Sequence, residues 1–322
     1  MKLRRETVVK HIEHWSAALE RSGRDWWPRF AYHFTDVQNA VSILNSGRLY
    51  SRERAMQLGV MLHDNANPEV IAQTDPEHLR LVRLYFRPLT PTQYRNEGIL
   101  QRASQSKGHC PCPVYFLFDL PLVLQAPGCR FSRGTLATSR SGHSELESYF
   151  VGMPWSDVYS EGPMAGSRKK EIKQARHAEI IIPDEYEFGP ALRAVYARSP
   201  AELATLTHGL DRAVVETLGA RIRIGYGQLF YHRGNFVKSV SGSGGTDIDI
   251  RFWDSADHPQ SIEFRFSGDG DTRRWSHSDA IPPGQTEVRY RLRRSYADGV
   301  MSLSVEGCQA FHARVDLGGL PF

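Results

Sequence analysis

An α+β region followed by an all-β, sandwich-like region is the fold class this sequence predicts, and three observations carry it. Up to about residue 218, helical apolar stripes alternate with short aromatic and β-branched runs. From residue 219 onward, alternating apolar–polar runs are separated by Gly, Ser, Asp and Pro turns, the pattern of a β-sandwich. Charge shifts too: Val215–Phe322 holds thirteen Arg and Lys against thirteen Asp and Glu, so the chain's net +4 lies upstream. At 322 residues the chain has room for two cores, which we place at 1–218, with an N-terminal helix over 1–28, and at 219–322.

Taken in order, Val8, Ile12, Trp15 and Leu19 recur at helical spacing, and Gly23 and Pro28 close that helix. Ala31–Thr35 reads as a strand. Thr35 or Asp36 caps a helix striped by Val37, Ala40, Val41 and Leu44, which stops at Gly47. Residues 62–77 are polar and turn-rich, a long loop. Leu79–Phe86 and Val114–Leu124 are strands, the second buried, and residues 126–175 read as a long loop with a helical hint at Glu145–Val151. Ala191–Tyr196 is a strand and Pro200–Leu218 a helix capped by Ser199. The later strands are Ile222–Tyr231, Asp247–Trp253, Ser261–Ser267, Glu287–Arg293 and Val300–Val305.

Composition excludes several classes. Four cysteines do not make a disulfide framework, and His109-Cys110-Pro111-Cys112 lacks the second pair that closes a zinc site, so no metal is expected. The charged N-terminus does not resemble a signal peptide, and no apolar run reaches the ~20 residues of a membrane span, so the cytoplasm is the expected compartment. A net charge of +4 describes no polycation.

The residue that asks for an explanation is Glu179, at the mouth of the strand Ala178-Glu179-Ile180-Ile181-Ile182-Pro183. A carboxylate opening an apolar strand is paired, at an exposed edge, or functional. The upstream chain supplies a context: Tyr32-His33-Phe34-Thr35 with Asn39, Ile43-Leu44 and Gly47; the cluster Arg52-Glu53-Arg54; and Tyr85-Phe86-Arg87-Pro88 with Thr90-Pro91 and Tyr94. In this order, ahead of Gln174-Ala175-Arg176-His177-Ala178-Glu179, these segments resemble the DarT family of nucleic-acid ADP-ribosyltransferases over roughly residues 30–200.

The resemblance implies an ADP-ribosyltransferase-like split β-sheet domain and NAD as the substrate that supplies ADP-ribose, with no metal. It implies Glu179 as the catalytic carboxylate, stabilising charge at the ribose carbon and accepting a proton from the attacking base. Arg52 or Arg54, with Arg54 preferred, falls where the family uses an arginine. His33, Thr35, Asn39, Gly47, Tyr85, Phe86 and Tyr94 fall in the NAD-binding segments. The loop before Glu179 falls where such enzymes recognise the acceptor. Its Arg140, Arg168, Lys169, Lys170 and Arg176, with Tyr149 and Trp155, suit single-stranded DNA or RNA, cations for phosphate and rings for bases. A bacterial toxin or phage-defence effector is the role this implies. The rival readings are a protein-modifying ADP-ribosyltransferase and a non-catalytic nucleic-acid-binding module. The balanced charge of the C-terminal region fits an antitoxin or other protein partner better than DNA. On a strand, Arg289, Arg291 and Arg293 would share one face, solvated or following phosphates.

Overall fold

The computed structural model describes residues 2–137, 142–164, 166–225, 227–254, 256–269 and 275–318. Ten strands belong to the N-terminal region: β1 (Phe30–Asp36), β2 (Arg48–Tyr50), β3 (Leu81–Tyr85), β4 (Pro113–Asp119), β5 (Arg130–Ser132), β6 (His143–Ser144), β7 (Glu179–Pro183), β8 (Glu185–Glu187), β9 (Leu192–Ala197) and β10 (Ile222–Ile224). Eight of them form one sheet in the order β10-β9-β4-β1-β3-β7-β5-β6, and β2 pairs separately with β8. The sheet is nearly cut in two. β1 runs against β4 over seven residue pairs, but meets β3 at the single pair Tyr32–Tyr85. Beyond that pair the strands part, and a cleft opens there.

Local chemistry explains most boundaries. Asp36 accepts the Gln38 N–H at 3.1 Å and caps helix Val37–Ser46, which ends at Gly47 in a left-handed conformation that glycine tolerates best (φ 68°). β4 is apolar from Pro113 to Phe118 because both its faces are covered there. The segments expected as loops at 62–77 and 126–175 are more ordered than that. The first holds the short helices Pro68–Ala72 and Pro76–Leu79, the second β5, β6 and helices Glu147–Val151, Trp155–Val158 and Lys169–Ala175. Phe150, Met153, Trp155, Val158 and Tyr159 enter the main core, which is why so long a polar-looking segment holds its shape. The helix expected at Pro200–Leu218 breaks at Gly209 into Pro200–His208 and Arg212–Leu218.

The C-terminal region is all-β. β11 (Val237–Ser243), β12 (Asp247–Phe252) and β15 (Glu287–Arg291) form one sheet. β13 (Gln260–Gly268), β14 (Trp275–Ile281), β16 (Asp298–Val305) and β17 (Cys308–Asp316) form the other, in the order β14-β13-β16-β17. Alternate residues such as Ile248, Ile250, Phe264, Phe266, Met301 and Leu303 fill one core between them. The expected boundary at 218 falls early. β10 lies parallel to β9 in the first sheet, and Phe230 still packs on Tyr115, so the sandwich begins near Val237. The joining segment is seated by glycine: a Cβ on Gly98 would stand 1.9 Å from the Arg233 carbonyl oxygen. Helix Pro200–His208 rests on the sandwich, with Ala201 in its core and Thr205 Oγ1 accepting the His312 N–H at 3.1 Å. No helix among the described residues is long and apolar enough to cross a membrane.

Candidate active site

Where β1 and β3 part, a side chain spans the gap. His33 Nδ1 donates to the Arg83 carbonyl at 3.1 Å, which leaves Nε2 as the ring's acceptor. Burial lowers the His33 pKa from its ordinary value, so the ring is neutral near pH 7. His33, Phe34 and Arg83 line both lobes of a cleft. One lobe, of about 270 Å³, is walled by Thr35, Asn39, Leu49, Arg52, His63 and His78. The other, of about 530 Å³, is walled by Tyr85, Thr92, Arg95, Lys170, Lys173, His177 and Glu179. Volumes of this order suit a small-molecule site.

Glu179 is placed by register. It opens β7 opposite Tyr85, and the apolar residues behind it, Ile180 to Ile182, are buried. The residue is only 1% exposed, yet its carboxylate has modest support. Oε2 accepts the Leu136 N–H at 3.2 Å, and Arg83 Nη1 lies 3.9 Å from Oε1. Burial therefore pushes its pKa above the ordinary value, against the opposing pull of Arg83, the Leu136 N–H and the Thr135 hydroxyl. His78 holds the same loop, its Nδ1 donating to the Leu136 carbonyl at 3.0 Å.

The first lobe is shaped by Asn39. Its Oδ1 accepts the N–H groups of Leu62 (2.8 Å) and His63 (3.0 Å), and its Nδ2 donates to the His63 carbonyl at 2.7 Å. Asn39 Nδ2 also reaches Thr35 Oγ1 at 3.2 Å. Arg52 lies in the wall, its guanidinium forked onto both carboxylate oxygens of Asp64, with Nη1–Oδ1 at 2.9 Å.

Of the residues singled out from sequence, the structure brings His33, Thr35, Asn39, Arg52, Tyr85, Lys170 and Glu179 to this cleft. Others stand elsewhere. Arg54 is exposed and outside the cleft walls, so the preference between the two arginines passes to Arg52. Gly47 ends a helix and lines no cavity wall. Phe86, the alternate residue to Tyr85, points into the core against Trp155 and Phe150. Trp155 is core, its Nε1 donating to the Phe150 carbonyl at 2.8 Å. Tyr149 lies under Arg133 and bonds the Gly142 carbonyl, Arg168 pairs with Asp157 at 2.5 Å, and Lys169 is solvated outside the walls. Arg176 turns away from the cleft to Ser160 and Gly162, and Tyr94 faces the same far side. Arg140 lies outside the described residues. Sequence reasoning missed Arg83, His78, Arg95 and Asp64. Arg83 had a readable signal, a cation alternating with Val82 and Leu84 on a strand leading into Tyr85.

A divided sheet with a buried carboxylate, a histidine and arginines around the split defines an NAD-dependent ADP-ribosyltransferase. The model of the family described as "DarT: ssDNA thymidine ADP-ribosyltransferase" matches residues 32–226, and the chain belongs to the DarT family. Solved structures of Thermus sp. 2.9 DarT are similar at 14% identity. The complex with NAD+ covers 63% of this chain and 98% of its own, with a TM-score of 0.47. The complex with ADP-ribosylated ssDNA covers 63% and 97%, with a TM-score of 0.49. No curated protein matches the chain. Residues 227–322, which include the whole sandwich, lie outside the family match. Among the described residues, no group of three His, Cys, Asp or Glu is placed to hold a metal ion.

Proposed function

We propose that the cleft binds NAD and transfers its ADP-ribose to a base of single-stranded DNA, with Glu179 as the catalytic residue. The observation that carries this reading is the Glu179 carboxylate, buried in a cleft wall whose other charged members, Arg83, Arg95, Lys107, Lys170 and Lys173, are cationic. The bond between nicotinamide and ribose breaks, a bond from the ribose carbon to a base nitrogen forms, and the proton of that nitrogen leaves through a carboxylate. Glu179 supplies negative charge where positive charge develops and is the acceptor for that proton. Arg83 keeps the carboxylate ionised enough to serve. Arg52, a planar donor already fixed by Asp64, is suited to an NAD phosphate. His33 Nε2 accepts a hydroxyl hydrogen bond, and Tyr85, stacked on Phe34 at 6.3 Å, offers an aromatic wall. The cationic rim is suited to the acceptor's phosphates.

The experiment incubates purified protein with labelled NAD and single-stranded DNA, single-stranded RNA or protein extract in parallel. Label on DNA, absent with Glu179→Gln, supports the reading, and mass spectrometry then maps the base. Label on RNA or protein alone overturns the choice of acceptor; label on none overturns the transfer. A modified genome stalls replication, so the proposal extends to a toxin or phage-defence role that requires a neutralising partner. Growth arrest on induction of the wild-type gene, and none with Glu179→Gln, is the outcome this predicts.

A further inference from the structure

Helix Pro91–Asn96 separates two cavities. Thr92 and Arg95 face the Glu179 lobe, while Pro91 and Tyr94 face a second cavity of about 460 Å³. The segment before β7 divides the same way, with Lys173 and His177 on the catalytic side and Arg176 on the other. The second cavity is cationic: Arg24, Arg87 and Arg176 line it against one carboxylate, Glu161, which pairs with Arg24. Arg87 and Arg176 are both buried, and among the described residues neither forms an ion pair, Glu161 acting on both and Asp157 on Arg176 only at longer range. Arg87 donates to the carbonyls of Pro88, Val158 and Ser160, and Arg176 to Ser160 Oγ and the Gly162 carbonyl. Trp27 Nε1, in the same wall and fully buried, has no hydrogen-bond partner among the described residues. Three arginines against the single carboxylate of Glu161, two of them buried and in no ion pair among the described residues, leave this wall with a surplus of positive charge that suits an anion.

Beyond the cavity, the chain of contacts continues onto the sandwich. Tyr94 meets Tyr231 edge-on at 5.0 Å, and the Arg233 guanidinium lies 4.0 Å over the Tyr94 ring. His232, between those two linker residues, has its ring 4.9 Å from Trp253. Trp253 stacks on Phe236 at 5.4 Å, with the Lys238 ammonium 5.6 Å from its ring. Tyr94 is 48% and Trp253 45% exposed, far more than aromatics of either core. Arg233 and Lys238 are exposed too, and neither has a carboxylate partner among the described residues. Exposed rings flanked by cations that pair with no carboxylate among the described residues, in line with an anion cavity, are the components of a single-strand platform.

We infer that this cavity and the Tyr94–Trp253 stripe bind the acceptor strand beyond its modified base, with a phosphate at Arg87 and Arg176 and a base stacked on Trp253. The inference rests on the acceptor reading proposed above, and it gives the sandwich a part in strand binding rather than in chemistry. Its balanced overall charge, which favoured a protein partner, conceals this local imbalance at the junction.

The test uses the full chain and fluorescein-labelled oligothymidylates of four and sixteen nucleotides, with anisotropy measured in the absence of NAD. Trp253→Ala is expected to weaken binding of the sixteen-mer by about tenfold, the scale of one lost base stack, and to leave the four-mer unchanged. Lys238→Glu, an exposed change that disturbs no packing, is expected to weaken the sixteen-mer in the same selective way. With NAD present, transfer to the four-mer by Trp253→Ala equals that of wild type. Unchanged sixteen-mer affinity in both variants overturns the inference and leaves the stripe to a protein partner. An equal loss on both lengths overturns it as well. Transfer to both oligonucleotides without any length preference overturns the strand path alone, whereas no transfer by wild type to either overturns the acceptor reading with it.

Discussion

The sandwich core and the cleft at the sheet's split are both built from β-strands, and they treat polar groups in opposite ways. Along β12 of the sandwich, alternation is strict: Ile248, Ile250 and Phe252 turn inward, while Asp247 and Asp249 turn outward and meet Arg291 and Arg289 at 2.8 and 2.5 Å. At the split, the ladder between β1 and β3 reduces to one pair. There a carboxylate is buried with one N–H donor at 3.2 Å, the Thr135 hydroxyl and a guanidinium no nearer than 3.9 Å. A sheet that needs only stability satisfies its polar groups or sends them to water. The cleft instead holds a charge short of full compensation, which is what the proposed chemistry requires of Glu179.

The sharpest way to break this comparison is Glu179→Gln. We expect transfer to fall by about 10²–10⁴-fold, since both the charge and the proton acceptor go. Stability should move the other way. Glu179 has a raised pKa in the folded state, so the native protein binds more protons than the unfolded chain between the ordinary carboxylate value and the raised one. Wild-type stability therefore falls as pH rises through that window, and the glutamine variant lacks this loss. Urea titrations of both proteins at several pH values are expected to show the variant gaining on wild type as pH rises. A variant less stable at every pH would make Glu179 an ordinary structural group. The same shift displaces the acid limb of the wild-type rate profile above the usual carboxylate range. His33, with its lowered pKa, adds no ionisation near neutrality.

A buried charge held directly between carboxylates serves as the control. Arg198 is enclosed, bonded to Glu202 and the Pro111 carbonyl, 3.7 Å from Glu97, and laid over Phe236 at 3.8 Å. Glu97 in turn accepts the N–H groups of Tyr231 (2.9 Å) and His232 (2.7 Å), so this cluster locks the linker to the first domain. Arg198→Met leaves two buried carboxylates without their cation. It is expected to cost about 3–5 kcal/mol in chemical denaturation. Remaining folded protein should transfer normally, which separates this buried charge from Glu179.

Asn39→Ala acts on the cleft's wall rather than its chemistry. It frees the Leu62 and His63 backbone groups, at a cost of about 1–3 kcal/mol, and loosens the loop that carries Asp64 and hence Arg52. The expected signature is a raised KM for NAD with kcat changed far less. A fall in kcat alone would show that the first lobe does not bind NAD.

Glu179 could be singled out from sequence because a carboxylate opening an apolar strand is anomalous on local grounds. His33, Thr35 and Asn39 stood out only through their order with the later segments, which resembles the DarT family; by itself a histidine beside aromatics reads as a core residue. What supports Glu179 was not legible. Arg83 reaches it across the β3–β7 register, and Leu136 and His78 meet it through loop packing; neither relation leaves a local pattern. Trp155 was misplaced because its segment is polar, although Phe150, Met153 and Val158 around it mark a buried face. β11 and β14 escaped notice for a similar reason. The first is rich in serine and glycine, and the second is almost wholly exposed, so neither shows apolar alternation. Gly242 in β11 has its own cause: a Cβ there would stand 2.3 Å from the Asp316 carbonyl oxygen.

The smallest effect belongs to the three arginines that the sequence lined up at 289, 291 and 293. Arg289 and Arg291 are each forked onto an aspartate of β12, at 2.5 and 3.1 Å and at 2.8 and 2.9 Å. Arg293 lies instead by Trp275, 5.4 Å from its ring. Two of the three charges are thus cancelled across the strand pair, which disqualifies this face as a phosphate track of the kind proposed at Trp253. Because these forks stand in solvent, salt and water screen them and side-chain ordering offsets much of their attraction. Arg291→Ala is therefore expected to leave both the unfolding midpoint and the affinity for a sixteen-nucleotide oligothymidylate within experimental error. A clear loss of strand affinity in that variant, with Trp253→Ala silent, would move the DNA-binding face of the sandwich from the linker edge to β15.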